Sequence, residues 1–354
     1  MDFLALGEPA LAALIGLAGG VMLGLAARMG RFCTLGAIED LLYGGSSKRM
    51  RMWGLAIGLS VVGAFGLMGA GMFVPTETFY LSIRWMPVAA ILGGLTFGYG
   101  MALAGNCGFG AIARLGGGDL RAFVIVLVMG LTSYLVLRGP LAGLRDSLFH
   151  QLPVTPGDPV PGIAHMIAAR TGAPVWATGL ALGLAICAGV LASRDFLRDG
   201  RALFWSAVVA AAILTGWAGT SWIAHHGFAA LPVVSHSFSA PLGETLLFAM
   251  TGAAADLSFS VGSVVGVALG AFAGSFCQGR FRWEACEDPR ELRRQITGAA
   301  LMGAGAVVAM GCTIGQGVSA FSVLAWSAPL TFAAIFAGAA LGLRQLITGF
   351  QPAE

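Results

Sequence analysis

Nine apolar runs follow one another along the chain, at roughly 9–28, 52–72, 86–105, 121–138, 175–193, 202–224, 256–276, 295–311 and 326–345, with short polar connections between them. Each approaches the roughly 20 residues that an α-helix needs to cross the hydrocarbon core of a bilayer. The pattern predicts an all-α membrane protein of about nine transmembrane helices. The opening decapeptide MDFLALGEPA lacks a cationic leader and a small-residue cleavage site, so the first apolar run is expected to be a retained span.

Composition agrees. The chain has 354 residues, 57% of them hydrophobic and 10% charged, with a mean hydropathy of +0.83. A soluble domain of this length needs more charge to cover its surface. Its 54 glycines point to close helix packing in spans and to close backbone approach in polar turns. The net charge of +3 matters less than where the charges lie. With nine spans, sixteen of the 20 Lys and Arg residues fall on one face, among them Arg28, Arg49, Arg114 and Arg280. The other face carries Arg84, Arg138, Arg145 and Arg170. This bias is expected to place the N-terminus outside and the C-terminus inside. Residues 139–174 then form an external Pro- and Gly-rich segment, read as a surface helix plus loop, and residues 277–294 form a charged internal loop.

Shifting the chain against itself by 205 residues reveals a repeat. Cys107 falls on Cys312 and Gly110 on Gly315; Ile91, Gly93, Gly98 and Gly100 fall on Ile296, Gly298, Gly303 and Gly305. Glu39, Leu41 and Leu42 fall on Glu244, Leu246 and Leu247. The expected organisation is a first half over 1–140 (spans 1–4), an external loop plus connecting span over 141–200, and a second half over 201–354 (spans 6–9). An odd number of spans between equivalent points turns the second half over, giving two inverted pseudo-symmetric halves with short re-entrant or broken helices near the midplane.

One turn recurs in this frame: Cys33 to Ile38 reads CTLGAI, Cys107 to Ile112 reads CGFGAI, and Cys312 to Gly317 reads CTIGQG. The fourth equivalent position is Phe238, followed by Ser239, Ala240 and Pro241, where no thiol remains. A broken helix at membrane depth exposes backbone N–H groups that must face a cavity or ligand, and the helix that restarts adds positive dipole character. Cys33, Cys107 and Cys312 supply weak S–H donors on a polarisable atom, and Gly36, Gly110 and Gly315 allow close approach. This chemistry suits a soft anion: S–H to its sulfur, backbone N–H to its oxygens. The thiols must stay neutral, since a thiolate repels an anion. Asn106 and Gln316 add amide donors beside the path.

Other polar residues read as structural. Cys187 is a packing residue, and Cys277 and Cys286 are incidental to the internal loop. Glu39 and Glu244 cap helices or pin loops. His225, His226 and His236 are read as surface histidines, and Trp53, Trp85, Trp217, Trp222 and Trp326 as interfacial anchors. The cysteines form no CxxC and no metal-ligand spacing, and no phosphate-binding glycine loop precedes a Lys-Ser/Thr pair, so neither a resident metal nor an ATP-driven pump is expected. No cofactor, catalytic residue or nucleic-acid partner is expected either. A membrane thiol–disulfide enzyme would want paired cysteines, and a soft-metal transporter would want Met or His beside them.

The segments GRFCTLGAIEDLLYGG, GNCGFGAIARL and GCTIGQGVSAFSVLAW resemble the YeeE/YedE-type sulfur transporter family over nearly the whole chain. That resemblance implies an hourglass-like fold of two pseudo-symmetric halves and uptake of thiosulfate into the cytoplasm. It also implies passage of the ion along Cys33, Cys107 and Cys312 by S–H···S hydrogen bonds. Relatives that handle selenium or other sulfur compounds leave the substrate open on this ground. A small cytoplasmic sulfur-accepting protein is an implied partner, beside the surrounding lipid.

Overall fold

A computed structural model describes residues 7–155, 157–252, 257–285 and 288–349. The chain begins with α1 (Glu8–Met29), α2 (Thr34–Leu42), α3 (Lys48–Gly69), α4 (Phe79–Ser82), α5 (Pro87–Ala104), α6 (Gly108–Gly116) and α7 (Leu120–Leu137). It continues through α8 (Ala142–Leu148), α9 (Ile163–Thr171), α10 (Val175–Leu191), α11 (Arg194–Leu197) and α12 (Gly200–His226). It closes with α13 (Ala240–Thr251), α14 (Phe259–Cys277), α15 (Pro289–Val308), a π-helical turn (Gly315–Ala320) and α16 (Ser327–Thr348). Among the described residues no strand forms, only isolated bridges.

A helix occupies each of the nine apolar runs. Seven of the described helices or helix pairs are long and apolar enough to cross a membrane; an eighth is added if α9 and α10, bent by 119°, count as one span. The difference from nine has a local cause. The first turns of α15 carry Arg290, Glu291, Arg293 and Arg294, so only its later turns are apolar, and α10 alone has 17 residues. Even so, α15 packs against both α5 and α7.

Two glycine seams set the helix spacing. On α1, Gly16, Gly20 and Gly24 recur every fourth residue, and Gly262, Gly266 and Gly270 do the same on α14. A Cβ at any of the six would run into a backbone carbonyl of the other helix: Phe259, Ser263 and Val267 from one side, Ala13, Leu17 and Val21 from the other. Lipid tails are as apolar as side chains, so such backbone-to-backbone contact, rather than hydrophobic burial, holds membrane helices together. In the second seam, α5 approaches α15 and α16. A Cβ at Gly98 would strike the Ile335 carbonyl, one at Gly338 the Leu95 carbonyl, and one at Gly100 would come within 2.6 Å of the Gly298 carbonyl. Around these seams α1 also packs on α12, α12 on α3, and α13 on α7.

The segment 139–174 holds two short helices, α8 and α9, and clasps the core. The Ile163 N–H donates to the Leu324 carbonyl at 2.8 Å and the Trp326 N–H to the Pro161 carbonyl at 3.0 Å. Arg84 pairs with Asp158 at 2.7 Å. On the opposite side, residues 282–284 pair with the 117–120 turn through the Leu120 N–H to the Glu284 carbonyl, 2.9 Å. Trp85 and Trp222 are partly exposed, as anchors would be, but Trp53 and Trp217 are core residues, each 1% exposed. Trp53 stacks on Phe32 with ring centroids 4.5 Å apart, and the Trp217 indole N–H donates to Ser322 Oγ at 2.8 Å. Both stand near span ends, yet neither is an interfacial anchor, because the short broken helices bring core to that depth.

Replacing Gly266 by Leu should destabilise the protein by about 2 kcal/mol or more, because the helices cannot separate without breaking the seam. Gly143→Ala, in α8 where a Cβ meets nothing, should be neutral or stabilising by about 0.5–1 kcal/mol. Thermal unfolding of the two variants in one detergent compares them.

Candidate functional site

Each cysteine turn is a helix break of the same construction. A residue in the left-handed region stands two positions before the cysteine: Arg31 (φ 55°), Gly105 (φ 76°) and Met310 (φ 57°). The chain then reverses into extended backbone, and Cys33 and Cys107 sit as N-caps of α2 and α6. Cys312 likewise precedes the helical segment that contains the π-turn. Glycine adopts the left-handed conformation freely, whereas Arg31 and Met310 adopt it at a cost of about 1–2 kcal/mol each. Such strain persists only where surrounding contacts over-determine the turn.

At Met310 those contacts come from Gln316. Its amide nitrogen donates to the Ala309 and Met310 carbonyls at 3.0 and 3.1 Å, and its oxygen accepts from Ser327 Oγ at 3.2 Å. Both amide hydrogens of Gln316, expected to face the path, are thus spent on holding the turn. Asn106 differs. It is 2% exposed, and neither its amide nitrogen nor its oxygen has a partner among the described residues.

The three turns converge. Cys107 and Cys312 belong to one buried cluster with Cys33 packed against it, Cys107 is near enough to interact electrostatically with both, and the buried Thr313 hydroxyl has no hydrogen-bond partner among the described residues. Cys107 and Cys312 are each 1% exposed, while Cys33 is partly exposed. The backbone N–H groups expected to meet an anion's oxygens instead donate to the thiols: Gly110 to Cys107 Sγ at 3.4 Å and Gly315 to Cys312 Sγ at 3.5 Å. Phe238 donates its N–H to Cys312 Sγ at 3.2 Å. These contacts occupy sulfur lone pairs and leave the S–H protons of Cys107 and Cys312 unspent by them. At Gly36 the bare Cα has another use, since a Cβ there would collide with the Arg49 guanidinium.

The turn without a thiol is filled by a ring. Phe238 is fully buried and packs on Phe109, centroids 5.4 Å apart, and α13 begins directly after it. Just upstream, His236 is fully buried rather than at the surface, with Nδ1 2.6 Å from Ser263 Oγ. Its carbonyl accepts from Ser319 Oγ at 2.7 Å, tying this turn to the π-helical one. His225 does lie at the surface, with Nε2 3.3 Å from Glu77 Oε1.

Two groups escaped the sequence reading. Ser237 Oγ lies 3.8 Å from Cys312 Sγ. A Cβ at Gly315 would come within 2.7 Å of that hydroxyl and 3.2 Å of the Tyr80 hydroxyl, so both crowd the Cys312 turn. The 205-residue offset could have flagged Ser237, which stands just before the fourth turn. Nothing local marks Tyr80, which enters from α4. Cys187 is buried in α10, Cys277 is exposed at the end of α14, and Cys286 lies outside the described residues. No group of three or more potential metal ligands occurs among the described residues.

Gln316→Leu should strand the Ala309 and Met310 carbonyls and lower stability by about 1–3 kcal/mol. Thermal unfolding of the purified protein measures the loss.

The family signature described as sulphur transport matches residues 29–341. The thiosulfate transporter TsuA of Escherichia coli (strain K12) is 27% identical over 331 residues, covering 88% of each chain. The thiosulfate transporter TsuA of Spirochaeta thermophila is 24% identical over 335 residues, 90% of this chain and 94% of that one.

Proposed function

The chain belongs to the sulphur transport family, the YeeE/YedE-type sulfur transporters, and on that premise we propose that it carries thiosulfate across the bacterial inner membrane into the cytoplasm. The convergence of Cys33, Cys107 and Cys312 is the observation that carries this reading. Thiosulfate pairs a terminal sulfur with three oxygens, and it needs a soft donor for one end and hard donors for the other. The thiols serve the first role, passing the sulfur from one S–H to the next. Asn106, Ser237, Thr313 and Tyr80 offer N–H or O–H donors for the second. Among the described residues no lysine or arginine lines a cavity with Cys107 or Cys312, so these two stations hold the ion weakly and release stays fast.

The packing supports two inverted halves, 1–140 and 201–354, joined through 141–200. Under the 205-residue offset α1 corresponds to α12, α3 to α14, α5 to α15 and α7 to α16. Each cross-half contact then has its reciprocal: α1 on α14 with α12 on α3, and α5 on α16 with α15 on α7. In this orientation the N-terminus is outside, Cys312 is the outer station and Cys33 the inner one. The protein moves the ion without chemistry on it, and a small cytoplasmic sulfur-accepting protein takes it up on the inside.

In cells lacking other uptake routes, the wild-type chain should restore growth on thiosulfate as sole sulfur source. Cys107→Ala and Cys312→Ala should each fail to do so, with membrane levels confirmed by immunoblot. Full growth of the Cys33/Cys107/Cys312 triple alanine variant would refute the relay. Rescue on a different sulfur or selenium compound alone would reassign the substrate.

A further inference from the structure

Cys33 lines a cavity of about 410 Å³ whose wall also carries five guanidiniums: Arg28, Arg31, Arg49, Arg114 and Arg280. They come from the end of α1, the turn before Cys33, the start of α3, the end of α6 and the segment after α14. A second cavity, about 680 Å³, continues outward and shares Arg28, Arg31, Arg49 and Arg280. Three carboxylates face this system, Glu39 in the inner cavity and Asp40 and Asp199 in the outer. Asp40 is taken by Arg49 at 2.6 Å. Asp199 is taken by Lys48, whose ammonium holds that carboxyl below the usual carboxylate range. Arg31, Arg114 and Arg280 have no ion-pair partner among the described residues.

Positive residues at a cytoplasmic face are ordinary, but here the backbone is arranged around them. Arg31 holds the left-handed conformation. Gly36 and Gly117 lack side chains where the guanidiniums of Arg49 and Arg28 lie. At the floor of the cavity sits Asn106, 2% exposed, with both amide atoms unpartnered. Guanidiniums this close repel one another when the cavity is empty, and their planar N–H forks match the oxygens of a tetrahedral oxyanion.

We propose that the arginine-lined wall of this cavity, beside Cys33 and apart from Cys107 and Cys312, is a second anion site, which binds a tetrahedral oxyanion dianion such as sulfate and, when filled, slows passage past Cys33. Its placement on the cytoplasmic side rests on the transport reading above; binding itself does not. The site takes the ion partly hydrated and recognises charge and oxygen geometry, not sulfur. A cell already rich in the oxyanions that sulfur metabolism yields would thereby restrain further import.

The test uses the full-length protein in neutral detergent, titrated calorimetrically with sodium sulfate at ionic strength fixed with chloride. Wild type should bind sulfate saturably. Arg114→Gln/Arg280→Gln, two surface changes, should weaken binding about tenfold, the size of one lost charge-assisted hydrogen bond. The Arg114→Lys/Arg280→Lys variant, which keeps the charge, should recover part of it. In proteoliposomes, sulfate trapped inside should slow radiolabelled thiosulfate uptake by wild type. The double Gln variant, normalised to its own rate without sulfate, should be slowed less.

Equal sulfate affinity in wild type and the double Gln variant overturns the site, as does loss of sulfate binding when chloride alone is exchanged at fixed ionic strength. If phosphatidylglycerol in nanodiscs abolishes sulfate binding, the site belongs to a lipid headgroup and the proposal falls. Uptake indifferent to trapped sulfate overturns the restraint. Arg-dependent sulfate binding by a protein that takes up no thiosulfate would instead overturn the transport reading and leave the site standing.

Discussion

The backbone contact between α1 and α14, repeated between α5 and its neighbours α15 and α16, is the constraint from which the rest of the molecule follows. Glycines stacked every fourth residue let carbonyls of one helix touch the Cα atoms of the other. At that spacing there is no room for a side chain, and the helices are locked in register as well as in distance. Register matters because the four broken helices hang from these cores. Cys33 follows α1 and Cys107 follows α5, so an axial slip of either helix would carry a thiol away from the centre.

What the locked helices produce is a polar centre inside an apolar protein. Backbone at membrane depth must be satisfied within the protein or face a cavity. Here several of the exposed N–H groups are satisfied by sulfur: Gly110 by Cys107, and both Gly315 and Phe238 by Cys312. A thiol is well suited to this double duty. It accepts from the helix start and still has a proton to donate, and it adds little bulk or fixed charge. The tight turns that create the geometry are held by side chains outside the path, above all Gln316, whose amide braces the strained Met310 turn. The centre thus has two classes of polar residue, those left without a partner, such as Asn106, and those that hold the backbone in place, such as Gln316.

Charge is segregated from the deepest part of this centre. Cys107 and Cys312 are buried and line neither arginine-rich cavity, while the guanidiniums gather in the cavity that the partly exposed Cys33 lines. Bringing a cation into the middle would require desolvating it and would bind an anion too firmly for passage. Placing cations where water still reaches them keeps their long-range attraction without that cost.

Much of this was legible in the chain alone. The apolar runs determined the membrane-spanning helical class, and the 205-residue offset marked the turns and singled out Cys33, Cys107, Cys312 and Phe238, because periodicity and repetition are properties of the linear order. The roles of individual polar residues were not legible, because they depend on which groups other elements bring alongside. Gln316 and Asn106 look alike beside a cysteine, yet one is spent on carbonyls of its own turn and the other is left open to a cavity. Tyr80 and Ser237 reach Cys312 only through helix packing, and Trp53, Trp217 and His236 lie at the ends of apolar runs but inside the protein. The sequence determined which segments cross the membrane and where they break; tertiary packing decided which donors face the break, since a hydrogen bond is local in space and not along the chain.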